Sequence, residues 1–370
     1  MIKVLSIFGT RPEAIKMAPV VKELEKHPGK VTSKVCVTAQ HREMLDQVLE
    51  LFEIRPDYDL DLMREGQTLS GLTARVFTAL DPVLEKEQPD WVLVQGDTTT
   101  VMAASLAAFY RRIKVGHVEA GLRTGDKWQP FPEEVNRKIA GVVAELHFAP
   151  TETTRDNLLA EGVNPETIHV TGNTVIDALH MAAEMPFDLE NSPLAGIPWE
   201  KKIILVTAHR RENFGGPLQN ICAALKKVAN QFREEVHLVY PVHPNPNVLE
   251  TVYPELEGIA NISLLEPLDY LPMVKLMERC YFVVTDSGGL QEESPGLGKP
   301  VLVLREKTER PEGIDAGMVK LIGTNQKTVF DSVNQLIVDD NIYGKMSSAI
   351  NPYGDGNAAK RIIEFIINSS

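Results

Sequence analysis

Residues 4–27 read VLSIFGTRPEAIKMAPVVKELEKH and decide how the chain begins to fold. An apolar, β-branched run leads through Gly9 into an amphipathic segment, the pattern of a strand followed by a helix. The same alternation recurs along the first half of the chain, with apolar runs at 33–39, 91–96 and 113–120. Strand then helix, repeated, predicts parallel βαβ units with right-handed crossovers.

A polar, proline-rich stretch at 185–200 interrupts this pattern and is the predicted linker. The alternation restarts beyond it, in KIILVTA, VHLVYPV, YFVVTDSGG and PVLVL. We therefore predict an α/β protein with two Rossmann-like, doubly wound domains that face an interdomain cleft. The predicted boundaries are 1–185 for the first domain, 200–352 for the second, and 353–370 for a C-terminal helix packing back on the first.

The composition fits a globular protein and argues against several classes. A chain of 370 residues with 43% hydrophobic residues is too long for one ordinary core. Its formal net charge of −13 disfavours general binding to nucleic acid or an anionic membrane. The apolar run at the N-terminus is short for a signal peptide, and no stretch reaches the roughly 20 apolar residues that span a bilayer. A cytoplasmic protein is expected.

Cysteine usage points the same way. Cys36, Cys222 and Cys280 lie far apart in mainly apolar surroundings, without the spacing of metal ligands. They are expected to be core thiols in a reducing compartment.

Polar residues follow most of the predicted strands, where ligands of open α/β sheets bind. In GTRPEAIK, Thr10 and Glu13 form a predicted capping box with Pro12 in the first turn. Arg11 and Lys16 are cations near a helix N-terminus, where a phosphate would bind. A solvent-exposed helix face is the alternative for both cations.

The segment TDSGGLQEE gives a stronger signal for an anion. Ser287, Gly288 and Gly289 occupy a strand-to-helix turn where backbone N–H groups can approach a pyrophosphate. Either Glu292 or Glu293 would accept hydrogen bonds from ribose hydroxyls. The alternative is a glycine turn that only tightens the βα unit. Arg310 follows the next strand and would add a cation, although alone it would be a surface arginine.

Two common nucleotide motifs are absent from the sequence. It has no Walker A lysine motif and no G-x-G-x-x-G after the first strand, which disfavours NTP hydrolysis and hydride transfer. A diphosphate-binding turn without those motifs indicates that the ligand is a nucleotide-sugar.

Three carboxylates, Asp97, Glu119 and Glu133, come from loops that should meet on one edge of the first domain. Neighbouring carboxylates raise one another's pKa, as acid–base chemistry near neutral pH requires. His117 lies beside them, and His209 and Arg210 are predicted to reach in from the second domain. Alternatives are open: Asp97 could cap the helix that starts at Thr98, and Glu133 could simply sit in the first turn of its helix. His243, between prolines, is interpreted as structuring its loop.

Nine long blocks, in order over nearly the whole chain, resemble bacterial non-hydrolysing UDP-N-acetylglucosamine 2-epimerases. They are GTRPEAIKMAP, TAQHREMLDQVL, VQGDTTT, HVEAGLRTG, PFPEEVNR, AHRRENFG, EPLDYLPMV, TDSGGLQEE and GKPVLVLREKTERPE. The resemblance implies a glycosyltransferase-B-like fold, a homodimer, and reversible conversion of UDP-GlcNAc to UDP-ManNAc without metal or nicotinamide cofactor.

The resemblance also implies roles for individual residues. The uracil and diphosphate would be bound by Arg11, Ser287, Gly288, Gly289, Glu293 and Arg310. The sugar and the reaction centre would be lined by Lys16, Asp97, Glu119, Glu133 and His209. A second UDP-GlcNAc, acting as activator, would touch Gln40, His41, Glu43 and Arg210. Some relatives carry Gln and Arg where this sequence has Glu43 and Gly66, which is a departure at the activator site.

The chemistry explains why carboxylates would gather. A sugar C2–H is not next to a carbonyl, so its direct removal leaves an unstabilised carbanion. Loss of UDP from C1 with the C2 proton gives 2-acetamidoglucal, and re-addition from the other face inverts C2. The route needs a proton acceptor, a proton donor and cations on the diphosphate. A glycosyltransferase of the same fold and a non-catalytic nucleotide-sugar sensor are the alternatives.

Overall fold

The computed structural model describes residues 1–39, 42–62, 64, 66–308 and 310–369. In these residues two parallel sheets alternate with helices, which confirms the predicted α/β class with two doubly wound sheets. The first sheet has the order β3-β2-β1-β4-β5-β6-β7. Its strands are β1 (Ile2–Phe8), β2 (Val31–Val37), β3 (Tyr58–Asp59), β4 (Trp91–Gln95), β5 (Lys114–Val118), β6 (Leu146–Ala149) and β7 (Ile168–Val170).

The second sheet has the order β10-β9-β8-β11-β12-β13, and its strand pairs are also parallel. Its strands are β8 (Lys202–Thr207), β9 (Val236–Pro241), β10 (Ile262–Leu265), β11 (Phe282–Thr285), β12 (Val301–Val303) and β13 (Val319–Leu321). Central strands such as β4 and β8 are almost wholly buried, because helices cover both faces of a parallel sheet.

Helices connect the strands in both sheets. Those of the first half are α1 (Arg11–Glu25), α2 (Arg42–Leu51), α3 (Leu69–Glu87), α4 (Thr99–Tyr110), α5 (Glu133–Val143), α6 (Glu152–Ala160) and α7 (Thr174–Glu184). Those of the second half are α8 (Gly216–Gln231), α9 (Pro246–Leu256), α10 (Tyr270–Arg279), α11 (Gly288–Gly296), α12 (Pro311–Asp315), α13 (Gln326–Val338), α14 (Asp340–Ser347) and α15 (Ala358–Asn368).

The chain divides into two compact units, residues 1–181 with 354–370 and residues 182–353. The C-terminal helix α15 packs against α1 in the first unit. Its N-terminus is capped by the buried Asp177, whose carboxylate accepts from Ala358 N at 3.2 Å and Ala359 N at 2.9 Å. This cap satisfies two of the N–H groups that a helix start leaves without partners.

The three cysteines are buried and free, which confirms that they are core thiols. Burial raises the pKa of each thiol to about 12. None of the helices in the described ranges has the length and apolarity needed to span a membrane.

Candidate active site

Each sheet reverses its strand order at one point, between β1 and β4 in the first unit and between β8 and β11 in the second. Loops at the carboxyl ends of strands on either side of such a point diverge and leave room for a ligand. The predicted site residues of each unit follow these strands or their neighbours. Topology therefore gives each unit one candidate region.

Glu119 is the centre of a network in the first unit. Its side chain accepts hydrogen bonds from Lys16 Nζ, from Gln95 Nε2, and from Asn173 Nδ2 at 3.2 Å. The Glu119 residue is only 8% exposed, so the carboxylate depends on these donors in place of water. One cation and two amides thus hold a buried carboxylate directly after β5.

The backbone of Glu119 is strained. Its φ of +62° lies in the left-handed region, which residues other than glycine adopt rarely. Such a conformation costs on the order of 1–3 kcal/mol and is concentrated at functional sites. The surrounding structure holds Glu119 in a position that the chain alone would avoid.

Asp97 follows β4 and is held by two residues of α5. Its Oδ2 accepts from Arg137 Nη2 at 2.5 Å, and its backbone carbonyl accepts from Asn136 Nδ2 at 2.9 Å. The N-cap of α4 is Thr98, whose Oγ1 accepts from Val101 N at 3.4 Å. The alternative that Asp97 caps this helix is therefore wrong, and its partly exposed carboxylate is paired with a buried arginine.

Glu133 is the first residue of α5, as the structural alternative expects, and is half-buried. Within the described part of the chain, its side chain has no hydrogen-bond partner. The neighbouring Glu134 is buried instead and accepts from Thr124 N at 3.1 Å, Gly125 N at 3.2 Å and Arg137 Nη1 at 3.1 Å. The structure joins Glu134, rather than Glu133, to Asp97 through Arg137.

Glu13 ties the β1–α1 turn to the β4–α4 turn. Its Oε2 accepts from Gly9 N at 2.7 Å and Thr10 N at 2.8 Å, and its Oε1 accepts from Thr98 Oγ1 at 2.5 Å. These contacts confirm the predicted capping box and extend it to a second loop. Burial raises the pKa of Glu13, against the hydrogen bonds, which lower it. Arg11, in the same turn, is half-buried and has no side-chain partner in the described ranges.

His117 is buried on β5 rather than available for proton transfer. Its Nε2 donates to the Gly96 carbonyl at 2.7 Å, directly before Asp97. Burial lowers the pKa of His117 to about 3, against the hydrogen bond to Gly96, which raises it. The ring is neutral at physiological pH and acts as a support for the loop that carries Asp97.

In the second unit, Ser287 is the N-cap of α11 and Gly288 is its first residue. A Cβ added to Gly288 would lie 2.8 Å from Arg310 Nη1, so glycine lets the guanidinium approach the turn. Arg310 Nε donates to Glu292 Oε1 at 2.6 Å, and Glu292 is buried. Arg310 is therefore not an isolated surface arginine. Glu292 is engaged with it, and the neighbouring Glu293 is half-buried. Glu293 stays the prediction for the ribose hydroxyls.

His209 follows β8 and lies beside the buried Asp286. The Asp286 carboxylate accepts from the backbone N–H groups of His209 and Arg210, both at 2.8 Å. Desolvation lowers the pKa of His209, Asp286 opposes this, and His243 and Arg210 lower the pKa further. His243 Nδ1 accepts from Asn245 N at 3.2 Å, which confirms its role in the loop, and its ring stacks on His209. Arg210 is exposed.

Of the predicted activator residues, only Arg210 has a side chain among the described residues. Gln40 and His41 lie outside the described residues, as does the side chain of Glu43. Gly66 has a φ of +67°, and the place where a Cβ would lie is open space. No other side chain of the described residues occupies this place, where some relatives carry arginine. Across the described residues, no cluster of His, Cys, Asp and Glu side chains is arranged to hold a metal ion.

Sequence reasoning missed several residues that hold the candidate groups in place. Glu134 and Arg137 are three residues apart on one helix, a spacing that brings opposite charges together and could have revealed the pair. Asn173 follows β7 and Gln95 ends β4, so attention to strand ends could have found both. Asp286 precedes the glycine turn, but only coordinates show which nearby groups its carboxylate accepts from.

Comparisons with known proteins single out one family. A sequence model of the UDP-N-acetylglucosamine 2-epimerase family matches residues 22–367. A UDP-N-acetylglucosamine 2-epimerase of Yersinia pestis is 56% identical over 99% of this chain and 98% of its own length. The enzyme of that name from Escherichia coli K12 is 55% identical, with 99% of each chain covered. The crystal structure of the Neisseria meningitidis UDP-GlcNAc 2-epimerase bound to UDP-GlcNAc has a TM-score of 0.88 and 50% identity, and the alignment covers 99% of this chain and 100% of that one.

Proposed function

The chain belongs to the UDP-N-acetylglucosamine 2-epimerase family, a family of isomerases, and on that premise we propose that it interconverts UDP-GlcNAc and UDP-ManNAc. The observation that carries the proposal is the buried Glu119 carboxylate, held by Lys16 on a strained backbone. A buried, cation-paired carboxylate at a strand end suits proton transfer at a sugar carbon. No observation favours a glycosyltransferase or a sensor over this activity.

We further propose that the reaction is an anti elimination of UDP followed by re-addition. The C2 proton leaves to one side chain as the C1–O bond to UDP breaks, which forms 2-acetamidoglucal. A second group then delivers a proton to the opposite face of C2 while UDP re-adds to C1. Atoms and charge balance within substrate and side chains, without an external oxidant or reductant.

In this proposal the acid–base groups are the first-unit carboxylates. Glu119 is paired with Lys16, and Asp97 is paired with Arg137. Glu133 is the third candidate and has a half-buried side chain. Which one accepts and which one donates the proton is decided by the isotope experiment below together with single substitutions.

The diphosphate would be held by the second unit and its departure assisted by cations. The N–H groups of Gly288 and Gly289, in the first turn of α11, would bind the anion at the positive end of the helix dipole. The Ser287 N–H donates to Thr285 Oγ1 at 2.9 Å, so Ser287 would contribute as the N-cap residue beside them. Arg310 adds a charge-assisted donor, and Glu293 would accept from the ribose. Gly288→Val would place methyl groups against the guanidinium and the phosphate, so UDP binding measured by calorimetry should be lost. Unchanged UDP affinity in this variant would reject the placement.

One NMR time course in heavy water tests the reaction. Starting from UDP-GlcNAc with no acceptor present, UDP-ManNAc should appear with deuterium at C2, and UDP with 2-acetamidoglucal should accumulate slowly. UDP-ManNAc with protium at C2 would disprove the elimination, since the proton would not have passed through a solvent-exchanging group. No UDP-ManNAc at all would disprove the epimerase proposal.

Activation by a second UDP-GlcNAc and a homodimeric assembly are separate proposals that come from the family. With UDP-ManNAc alone, the initial rate should show a lag that a trace of UDP-GlcNAc removes. Hyperbolic kinetics without a lag would count against activation. Glu43→Gln and Gly66→Arg, which introduce the residues that some relatives carry, would then be the first substitutions to make. Light scattering at micromolar concentration tests the dimer directly, since a mass of one chain would exclude it.

A further inference from the structure

We propose that Asp286 is a positioning residue for His209, holding the imidazole with Nδ1–H toward its own carboxylate and leaving Nε2 for the ligand. This inference deepens the proposed function and rests on it, with His209 at the reaction centre as the family resemblance implies. It concerns a residue that is wholly buried and precedes the glycine turn by one position. Asp286 itself would touch neither sugar nor diphosphate.

One oxygen of Asp286 is fully occupied. Its Oδ2 accepts three hydrogen bonds, from His209 N and Arg210 N at 2.8 Å each and from Asn213 Nδ2 at 2.9 Å. Three N–H donors on one oxygen stabilise the charged carboxylate and fix its plane. The loop after β8 is thereby fastened to the end of β11, and the second oxygen has a set direction.

The other oxygen of the carboxylate, Oδ1, is the one beside His209. Asp286 Oδ1 is buried and has no hydrogen-bond partner in the described structure. It lies 3.5 Å from His209 Nδ1, an atom of a ring that can carry a charge. A buried oxygen without a donor costs free energy, and catalytic hydrogen bonds are often long before the ligand binds. A small rotation of the ring would complete the pair.

The imidazole is constrained on a second side. The His243 ring stacks on it with centroids 5.0 Å apart and planes 13° from parallel. The side chain of His209 remains 32% exposed, so the ring is supported but not enclosed. Once a small rotation completes the contact with Asp286 at Nδ1, a ring that also stacks on its face would present Nε2 as its free edge.

The chemical consequence concerns which nitrogen carries the proton. With Nδ1–H donated to Asp286, the neutral ring has its lone pair on Nε2, where it can take up a proton. The carboxylate then stabilises the imidazolium that forms, as the aspartate does in serine protease triads. His243 and Arg210 face the same ring and oppose its protonation, so Asp286 is the group that favours it.

The first test uses the wild-type protein and does not depend on activity. Nitrogen-15 NMR of histidine-labelled protein, with His209 assigned by comparison with His209→Asn, reports the tautomer directly. We expect the Nδ1–H form in the neutral ring. A dominant Nε2–H form, with and without UDP, would overturn the proposal even if the protein is an active epimerase.

The second test is a double-mutant cycle. Asp286→Asn keeps the shape but presents an amide to the ring, and the comparable change in a serine protease costs about 10⁴ in kcat by selecting the wrong tautomer. We expect a loss of roughly 10²–10⁴ in kcat with UDP affinity within about threefold. In the His209→Asn background the same change should cost less than about threefold, because non-additivity identifies residues that act as a unit.

The matched control is Asn213→Ala, which removes one donor from the same carboxylate and leaves its charge facing His209. It should cost less than about tenfold in kcat, since the remaining hydrogen bonds hold Asp286. An equal loss from Asp286→Asn in both backgrounds would overturn the positioning role. Wild-type protein without epimerase activity would instead refute the proposed function, and the NMR tautomer would still decide the question about Asp286.

Discussion

The first-unit network around Glu119 and the second-unit turn around Gly288 both lie at the carboxyl ends of parallel strands, β5 in the first sheet and β11 in the second. The strand orders of the two sheets match over six strands, and the first sheet has β7 in addition. The first consists of the buried carboxylate of Glu119, paired with Lys16, and the partly exposed carboxylate of Asp97, paired with Arg137. The second consists of backbone N–H groups, a glycine and one arginine held by Glu292. On the proposed function, the same architecture carries groups that would exchange protons in one unit and groups that would bind an anion in the other. The difference lies in side chains at strand ends, which is where fold alone says nothing about function.

The largest expected effect is in the first unit. Glu119→Gln keeps the shape but removes the titratable group, so kcat should fall by about 10²–10⁴ while UDP affinity is unchanged. Proton NMR of UDP-ManNAc formation and calorimetry with UDP measure the two quantities. Glu161→Gln, which breaks an ion pair with Arg123 in the same unit, is the control and should retain most activity. A weaker UDP affinity in Glu119→Gln would break the contrast between the regions.

The second effect is a loss of UDP affinity, and it is expected in the second unit. Arg310→Ala should weaken UDP binding by about 1.5–3 kcal/mol through loss of a charge-assisted hydrogen bond. Isothermal calorimetry gives the affinity directly. Arg305→Ala is the matched control because Arg305 also pairs with a glutamate, Glu212, at 2.7 Å. Equal losses from both variants would mean that general positive charge, rather than the Arg310 geometry, attracts the diphosphate.

The third effect concerns His117, a buried histidine of the first unit, and is measured as a pH dependence of stability. The folded pKa of His117, about 3, is below the ordinary value near 6.5, so the unfolded state binds a proton there that the folded state excludes. Between those values stability rises with pH, and it falls on acidification, by about 1.4 kcal/mol per pH unit for one proton. The free energy of unfolding, measured with urea between pH 7 and pH 5, should depend less steeply on pH in His117→Asn than in the wild type. The difference in slope should correspond to about one proton. An unchanged slope would mean that His117 is protonated in the folded protein.

The smallest effect distinguishes two adjacent glycines. A Cβ at Gly288 would lie 2.8 Å from Arg310 Nη1, whereas a Cβ at Gly289 would lie 3.7 Å from Glu293 Oε2, an ordinary contact. Gly288→Ala displaces the end of a flexible side chain, so UDP binding should weaken by about 1 kcal/mol. Gly289→Ala should change it by less than half of that. If the order is reversed, the diphosphate approaches the second glycine more closely than the first.

Sequence periodicity was sufficient for the fold because each strand is a short apolar run followed by an amphipathic helix. It also placed Asp97, Glu119 and the glycine turn at strand ends, since the carboxyl ends of parallel strands lie at one edge of each sheet. It could not choose between Glu292 and Glu293, because adjacent helix positions differ in burial by their angle toward the core. The choice of Glu134 over Glu133 as the partner of Arg137 has the same cause.

The network residues were harder to predict for a second reason. Asn173 and Asp286 act through hydrogen bonds to groups that are 54 and 77 positions away in the chain. No local pattern encodes such pairs. The strained φ of Glu119 was also unpredictable, because the tertiary contacts that impose it are formed only in the folded unit.

The capping of α15 by Asp177 has a consequence for the time course of synthesis. The first unit needs residues 354–370, which the ribosome makes only after the whole of 182–353. At about 5–20 residues per second, the nascent chain waits roughly 10–30 s for its last helix. During that interval the surface of α1 that contacts α15 lacks its partner, and Ile362, Ile363 and Ile366, which are buried in the folded unit, are not yet made. A nascent chain of this protein therefore offers chaperones an apolar helix surface for as long as the second unit is being translated.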